Sequence, residues 1–355
     1  MKSFSEFQRR LQAGHIVVTG EIAPPRGASR ATVERLALGL RDAVDAINLT
    51  DNQRGLGRMS ALGAGIIIRQ LGLEPIVQMT CQHRNRIALQ ADVLSGAACG
   101  ITNFLAMTGD HPKIGDHPDA KNVLDLNSFQ LLKMLRTMRD EGKFQSGVAL
   151  TEAPRFFLGG VANPNIERVA RLERKIQFGA EFIQTQILFD LDRFRQWMAD
   201  ARAAGLHQKA YILAGIMVVK SAQSARFLRD HLPGSRVPEW VIERMERAAH
   251  PEEEGIAIVF FTRQTVASRP RNRAFHHPPL RNDGASLLSD RFLNHIRARG
   301  RMVLQPRVQT RCIAFIDAHF FRSWKAIVMR SQQPFCAFGV RYIRRMHEYA
   351  QHDGD

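Results

Sequence analysis

His15-Ile-Val-Val-Thr-Gly-Glu21 decides the fold: a short β-branched apolar run ends on a carboxylate and is followed at once by Ile22-Ala-Pro-Pro-Arg-Gly27. Runs of this length, bounded by Pro and Gly, read as strands. Six more follow: Ala46-Ile-Asn-Leu-Thr50, Pro75-Ile-Val-Gln-Met-Thr80, Ile101-Thr-Asn-Phe-Leu-Ala-Met107, Phe156-Phe-Leu-Gly-Gly-Val-Ala162, Glu181-Phe-Ile-Gln-Thr-Gln-Ile187 and Ala210-Tyr-Ile-Leu-Ala-Gly-Ile216. Their starts lie 31, 29, 26, 55, 25 and 29 residues apart. A parallel strand with its crossover helix takes about 25–35 residues, so the spacing predicts seven βα units and one double-length interval.

The segments between the runs carry helix punctuation. The opening Met1-Lys-Ser-Phe-Ser-Glu-Phe-Gln-Arg-Arg reads as the start of an amphipathic helix, without the apolar core of a signal peptide. Asn127-Ser128 can cap the periodic stretch Phe129-Gln-Leu-Leu-Lys-Met-Leu-Arg, and Gly142 stops it; Asn165-Ile-Glu-Arg opens another helix that closes at Gly179. Two parallel architectures compete. An open dinucleotide fold needs G-x-G-x-x-G after an early strand, and Gly55-Leu-Gly57-Arg-Met-Ser does not supply it. A (βα)8 TIM barrel explains why polar residues end nearly every run: Glu21, Thr50-Asp51-Asn52, Thr80, Gly109-Asp110, Asn163 and Gln186. That end of the strands is where such barrels build their sites, so the barrel is the predicted fold.

Composition narrows the class. The 355 residues are 45% hydrophobic and 24% charged, which are globular values. The mean hydropathy of −0.23 and the short apolar runs exclude a membrane-spanning chain. Four scattered cysteines (Cys81, Cys99, Cys312, Cys336) form no C-x-x-C pair, so the expectation is a reducing cytoplasm and no structural zinc. The net charge of +16 invites a nucleic-acid reading, but residues 257–355 hold 17 basic and 6 acidic side chains and supply +11 of it. The division expected is therefore a barrel domain over 1–256 and an Arg-rich, atypical segment over 257–355. That segment reads as a poorly ordered tail; the competing reading is an arm that neutralises phosphates.

Several residues carry candidate chemistry. Glu21, at a strand end inside a barrel mouth, would be partly desolvated, which favours its protonated form and suits it to proton donation; the competing reading is a surface carboxylate capping the next helix. Asp110 follows Gly109, which allows close approach to the backbone; turn aspartates are the commoner occurrence. The twin Asp110-His111-Pro112 and Asp116-His117-Pro118 reads as a rigid loop rather than a metal cluster. Gln186, a neutral amide at the mouth, can pair with the edge of a heterocycle. Arg174-Lys175 can meet phosphates or simply complement a helix dipole. No cysteine sits in a nucleophile motif.

Glu21-Ile-Ala-Pro-Pro25, Met79-Thr-Cys81, Met107-Thr-Gly-Asp110, Leu172-Glu-Arg-Lys175, Gly179-Ala180 and Thr185-Gln186 occur in the order found in the methylenetetrahydrofolate reductase family. The stretch Gly109-Asp-His-Pro-Lys-Ile-Gly-Asp-His-Pro118 with Ala120-Lys121 resembles its bacterial, acetogen-like branch, and the resemblance runs from about residue 12 to 256. It implies a (βα)8 barrel that binds FAD at the mouth and reduces 5,10-methylenetetrahydrofolate to 5-methyltetrahydrofolate. By position it implies that Glu21 is the general acid and that Asp110 lies near the flavin ring and pterin. Gln186 would contact folate or nicotinamide, with Thr50, Gln78, Thr108, Gly109, Asn163, Arg174 and Lys175 at FAD contacts. Thr108 stands where other branches carry Arg, and Asn163 where they carry Tyr. NADH, NADPH or an electron-transfer partner subunit would be the donor, and a homo-oligomer is expected. After Pro251-Glu-Glu-Glu-Gly-Ile-Ala-Ile258 the resemblance stops, and no eighth strand is evident. The expectation is a last βα unit that is missing or replaced, through a shifted reading frame or a substituted terminus, and low stability from an unclosed barrel. Two other classes remain as alternatives: a folate- or flavin-binding partner subunit without catalysis, and a nucleic-acid binder acting through the tail.

Overall fold

A computed structural model describes residues 3–15, 17–232, 234–267 and 315–317. Seven parallel strands alternate with helices: α1 (Glu6–Gln12), β1 (Thr19–Ile22), α2 (Arg30–Leu40), β2 (Ala46–Leu49), α3 (Ala61–Gln70), β3 (Pro75–Thr80), α4 (Arg86–Ala98), β4 (Asn103–Met107), α5 (Ser128–Asp140), β5 (Phe157–Ala162), α6 (Val169–Gln177), β6 (Phe182–Ile187), α7 (Leu191–Ala203) and β7 (Tyr211–Gly215). Helices α8 (Ala222–His231), α9 (Glu239–Arg247) and α10 (Pro251–Ala267) follow, and a short β8 (Phe315–Asp317) pairs with β1. The sheet order β7-β6-β5-β4-β3-β2-β1-β8 is that of a βα barrel. Three residues of the tail lie parallel to Thr19–Glu21, and among the described residues no complete eighth βα unit follows β7, as the sequence led us to expect. Among the described residues β8 and β7 are not paired, so the sheet forms a curled half-barrel, TIM-like but incomplete. Helix α10 runs unbroken through residue 257, and the Arg-rich stretch beyond 267 lies outside the described residues except for 315–317.

The strands alternate in what they face. Ile47, Leu49, Val77, Met79, Phe104, Leu158, Ile183 and Ile212 pack outward against the helices in one large core. The other face closes on itself, as side-chain contacts show. Gln78 on β3 reaches Glu21 on β1 across β2, and Asn48 on β2 reaches Gln184 on β6 across three strands. Neighbouring strands lie about 4.8 Å apart, so in a flat sheet β2 and β6 would be about 19 Å apart, too far for an Asn and a Gln side chain to meet. At the N-terminal end of the strands the interior is apolar: Ala46, Ile76, Leu105, Phe157, Phe182 and Leu213 surround Phe7 and Leu11 of α1. Ser5 caps that helix by accepting from the Gln8 N–H, and Phe7 meets Phe157 and Phe182 edge-on at centroid distances of 5.7 and 5.3 Å. The amphipathic opening thus plugs the barrel floor.

Gly159 on β5 lies under the Phe182 ring; a Cβ there would stand 2.2 Å from Cζ. Gly159→Ala is expected to destabilise the protein by roughly 1–3 kcal/mol, because the ring cannot retreat from a packed interior. A lowered urea midpoint with an unchanged slope checks it.

The helix stops match the sequence in part. Asn127 caps α5 through a full capping box with Gln130, and Gly142 follows at φ +62°. Helix α6 starts at Val169, not Asn165, because Asn165 is buried and its amide donates to the carbonyls of Ile187 and Gly234. Among the described residues no helix is long and apolar enough to cross a membrane.

Candidate active site

Above the apolar floor, the inward positions turn polar. Glu21, Asn48, Gln78 and Gln184 form a belt, with Thr50 and Thr80 two residues further on. The Gln78 amide donates to Glu21 Oε2 at 3.3 Å, and the Asn48 amide donates to Gln184 Oε1 at 2.8 Å. Glu21 is half-buried and does not cap α2, whose N-cap is Ser29. Four atoms of this belt and rim are buried with no protein partner: Asn48 Oδ1, Thr50 Oγ1, Gln82 Oε1 and His83 Nδ1. Buried polar atoms are normally paired, so such a concentration marks where a polar ligand would be satisfied.

The rim is held by cross-loop bonds. Asp51, almost fully buried, accepts from the Thr80 N–H and hydroxyl, both at 2.9 Å, and pairs with Arg84, which also holds Asp92 at 2.7 Å. Asp110 accepts from the Arg54 N–H at 2.6 Å, and Asp116 accepts from the Gly57 N–H at 3.0 Å and pairs with Arg26. The twin Asp-His-Pro thus ties the loop after β4 to the loop after β2. The two loops touch so closely that a Cβ on Gly115 would lie 1.9 Å from the Gly55 carbonyl oxygen. Among the described residues no group of three or more His, Cys, Asp or Glu side chains could hold a metal ion. Gly109, at φ +84°, presses its Cα face on Thr80, two residues beyond Gln78 on β3.

Glu21, Thr50, Gln78, Thr108, Gly109 and Asp110 therefore sit at the C-terminal ends of four consecutive strands. The other named residues are engaged elsewhere. Asn163 donates to the Gly234 carbonyl and accepts from the Asn165 N–H. Lys175 is buried on Glu167 at 2.9 Å, and burial pulls its pKa below the usual lysine value. Arg174 is exposed, with its guanidinium 4.8 Å from the Phe129 ring centre. Gln186 turns its amide oxygen onto the Ile187 N–H. A cavity of about 620 Å³ between α7 and α9, lined by Phe189, Arg195, Trp240 and Arg244 among others, shares none of these residues. Burial pushes the Cys81 thiol up to about 12, which removes it as a nucleophile.

Sequence reasoning missed Asn48, Gln184, Gln82 and His83. The first two carried a signal, a polar residue at an inward position of an apolar strand; the loop residues carried none. Burial lowers the pKa of His83 more than the nearby Asp51 and Asp110 raise it. Its folded pKa thus lies below its unfolded value near 6.5, and the folded state binds fewer protons between the two. The stability it contributes is complete above about pH 6.5 and is lost as pH falls through the folded value. His83→Gln is expected to flatten the fall in urea midpoint below pH 6.5; the remaining slope would include His207, whose pKa burial also lowers.

A βα-barrel protein with a carboxylate-bearing polar mouth over an apolar floor is the class that this geometry defines. The methylenetetrahydrofolate reductase family model matches residues 6–270, and the chain belongs to that family. It is 24% identical over 191 residues to a probable methylenetetrahydrofolate reductase (NADPH) of Caenorhabditis elegans, covering 54% of this chain and 27% of that protein. With methylenetetrahydrofolate reductase 2 of Saccharomyces cerevisiae it shares 30% over 190 residues, 52% of this chain and 30% of the relative. The matches thus span less than a third of the nematode and yeast relatives. The 5,10-methylenetetrahydrofolate reductase of Salmonella typhimurium is 23% identical over 279 residues, covering 74% of this chain and 86% of the relative. An uncharacterized Clostridium thermocellum protein that binds two copies of 5-methyl-5,6,7,8-tetrahydrofolic acid superposes with a TM-score of 0.54 at 11% identity, over 90% of this chain and 99% of that one; the likeness is one of fold.

Proposed function

We propose that the chain is a cytoplasmic, flavin-dependent reductase that converts 5,10-methylenetetrahydrofolate to 5-methyltetrahydrofolate, with NADH or NADPH as donor. The observation that carries this reading is Glu21, a half-buried carboxylate on the concave face, held by Gln78 amid polar side chains with unspent hydrogen bonds. Those unspent atoms, with the backbone of Gly109 laid against β3, fit a polar heterocycle, so the residues at the mouth suit FAD. Thr50, Gln78, Thr108, Gly109 and Asp110 would hold its ring end. Arg174, Lys175 and Asn163 would hold the remainder only after exchanging their present partners. Held by these residues, FAD would supply the hydride chemistry that couples the nicotinamide to the folate.

Glu21, when protonated, would deliver its proton to the folate nitrogen released as the methylene bridge opens. Asp110 would favour the resulting substrate cation through its negative charge while it anchors the Arg54 N–H. Gln186 would orient the heterocycle through its amide. The apolar plug of Phe7 and Leu11 excludes water from below.

A second reading, a folate-binding subunit without catalysis, draws support from the engagement of Lys175 with Glu167 and of Asn163 with Gly234. One anaerobic titration separates the two. The reductase is expected to carry a flavin absorbance that NADH or NADPH bleaches and methylenetetrahydrofolate restores. A colourless preparation that FAD does not reconstitute, yet still binds folate, would overturn the enzyme.

A further inference from the structure

Beside Glu21 lies a buried acceptor that nothing bonds. Asn48 is the register partner of Glu21 in the parallel ladder between β1 and β2, and both side chains face the barrel interior. The bond from Gln78 on β3 draws the Glu21 carboxyl over β2, the strand between them. Asn48 is fully buried, and its amide nitrogen donates to Gln184 Oε1 at 2.8 Å. A planar amide holds its oxygen and nitrogen apart, so this bond turns Asn48 Oδ1 away from Gln184. Among the described residues that oxygen has no partner, although buried polar atoms normally find one. The orphaned atoms of Thr50, Gln82 and His83 belong to the rim, where a ligand arrives; Asn48 lies below them, level with Glu21.

From this juxtaposition we propose that Asn48 is a positioning residue that keeps Glu21 protonated, the acid O–H donating to Asn48 Oδ1. The inference rests on the reductase reading above and says what holds its proton in place. An ionised carboxylate offers only lone pairs, whereas a protonated one has a single O–H to give. Glu21 therefore satisfies the buried oxygen in its acid form alone, and an anion there would set lone pairs against lone pairs. A hydrogen bond made only by the neutral form disfavours the charged one. Gln78, which donates to Oε2, favours the anion, so the carboxyl is poised between the two. The charged groups on the surrounding elements are engaged elsewhere: Asp51 with Arg84 and Thr80, Arg58 with the Pro24 carbonyl, Arg26 with Asp116 and Asp110 with the Arg54 N–H. Helix α2, with Arg30, Glu34 and Arg35, covers the opposite face of β1, and Asp317 holds the register position beside Glu21 on β8. These groups are common to every variant compared below.

The test is an infrared pH titration of the full chain, with the Glu21 carboxyl band assigned by its loss in Glu21→Gln. Asn48→Leu and Gln184→Leu break the same bond across the barrel, so both are expected to lower the urea midpoint; only the first removes the acceptor. In Asn48→Leu the titration of Glu21 is expected to move down by about one pH unit, the weight of one net hydrogen bond, and the alkaline limit of the folate half-reaction to move with it. Gln184→Leu is expected to leave the titration in place. No movement in Asn48→Leu, or equal movement in both variants, would overturn the proposal. The wild type gives a reading that needs neither leucine variant to fold: a bonded O–H lowers the carbonyl stretching frequency of protonated Glu21, and a free-acid frequency would overturn the pairing. If the titration moves as expected but methylenetetrahydrofolate never restores the flavin absorbance, the reductase reading falls and the Asn48–Glu21 pair stands.

Discussion

In Glu21→Gln, bleaching of the flavin by reduced nicotinamide is expected to proceed at the wild-type rate, while its return with methylenetetrahydrofolate slows by roughly 10²–10⁴-fold, the usual weight of a positioned proton donor. Glutamine keeps the volume and the capacity to bond with Gln78, so the belt survives the change. What it loses is a group able to hold a proton at one moment and release it at the next. Hydride delivery to the flavin needs no such group, which is why the two half-reactions should separate. Stopped-flow measurement of each half-reaction reads the split directly. Equal slowing of both would overturn the proposed proton-donor role of Glu21 and leave it an architectural one.

Phe7→Ala is expected to cost about 3–5 kcal/mol, the range for an aromatic side chain removed from a packed interior. Phe7 is fully buried and contacts Phe157 and Phe182, which are themselves stacked at 4.8 Å. The floor cannot collapse to fill the hole, because the strands that carry those rings are held in register by their ladders. A large fall in urea midpoint, together with easier proteolysis near α1, checks it. A loss below about 1 kcal/mol would mean that the floor is sealed by Leu11 and its neighbours without the ring.

The fold was legible because the helix-facing positions of β1–β7 and the inward positions of the floor are mostly apolar and buried, so each strand stands out as a short run between turn residues. Boundaries were less so: residues 17 and 18 are buried, yet the Val18 N–H goes to the Asp45 carboxylate, and the ladder begins only at Thr19. Glu21 and Asp110 could be placed at strand ends from the sequence, whereas their partners could not. The Asn48–Gln184 bond depends on the curl of the sheet, and the Asp110 bond to Arg54 depends on two loops meeting, neither of which leaves a local pattern. For Lys175 the motif position was legible, whereas its buried pairing with Glu167 is set by the turn before α6.

The plug helix has a consequence for how the molecule is made. It precedes every strand it rests on, and the rings that receive Phe7 belong to β5 and β6. Joining segments so distant along the polypeptide carries a closure entropy that grows with the logarithm of their separation. During synthesis, then, Phe7 cannot complete its packing until the sixth strand has left the ribosome, and the hub is seated in the wheel only once most of the spokes are in place.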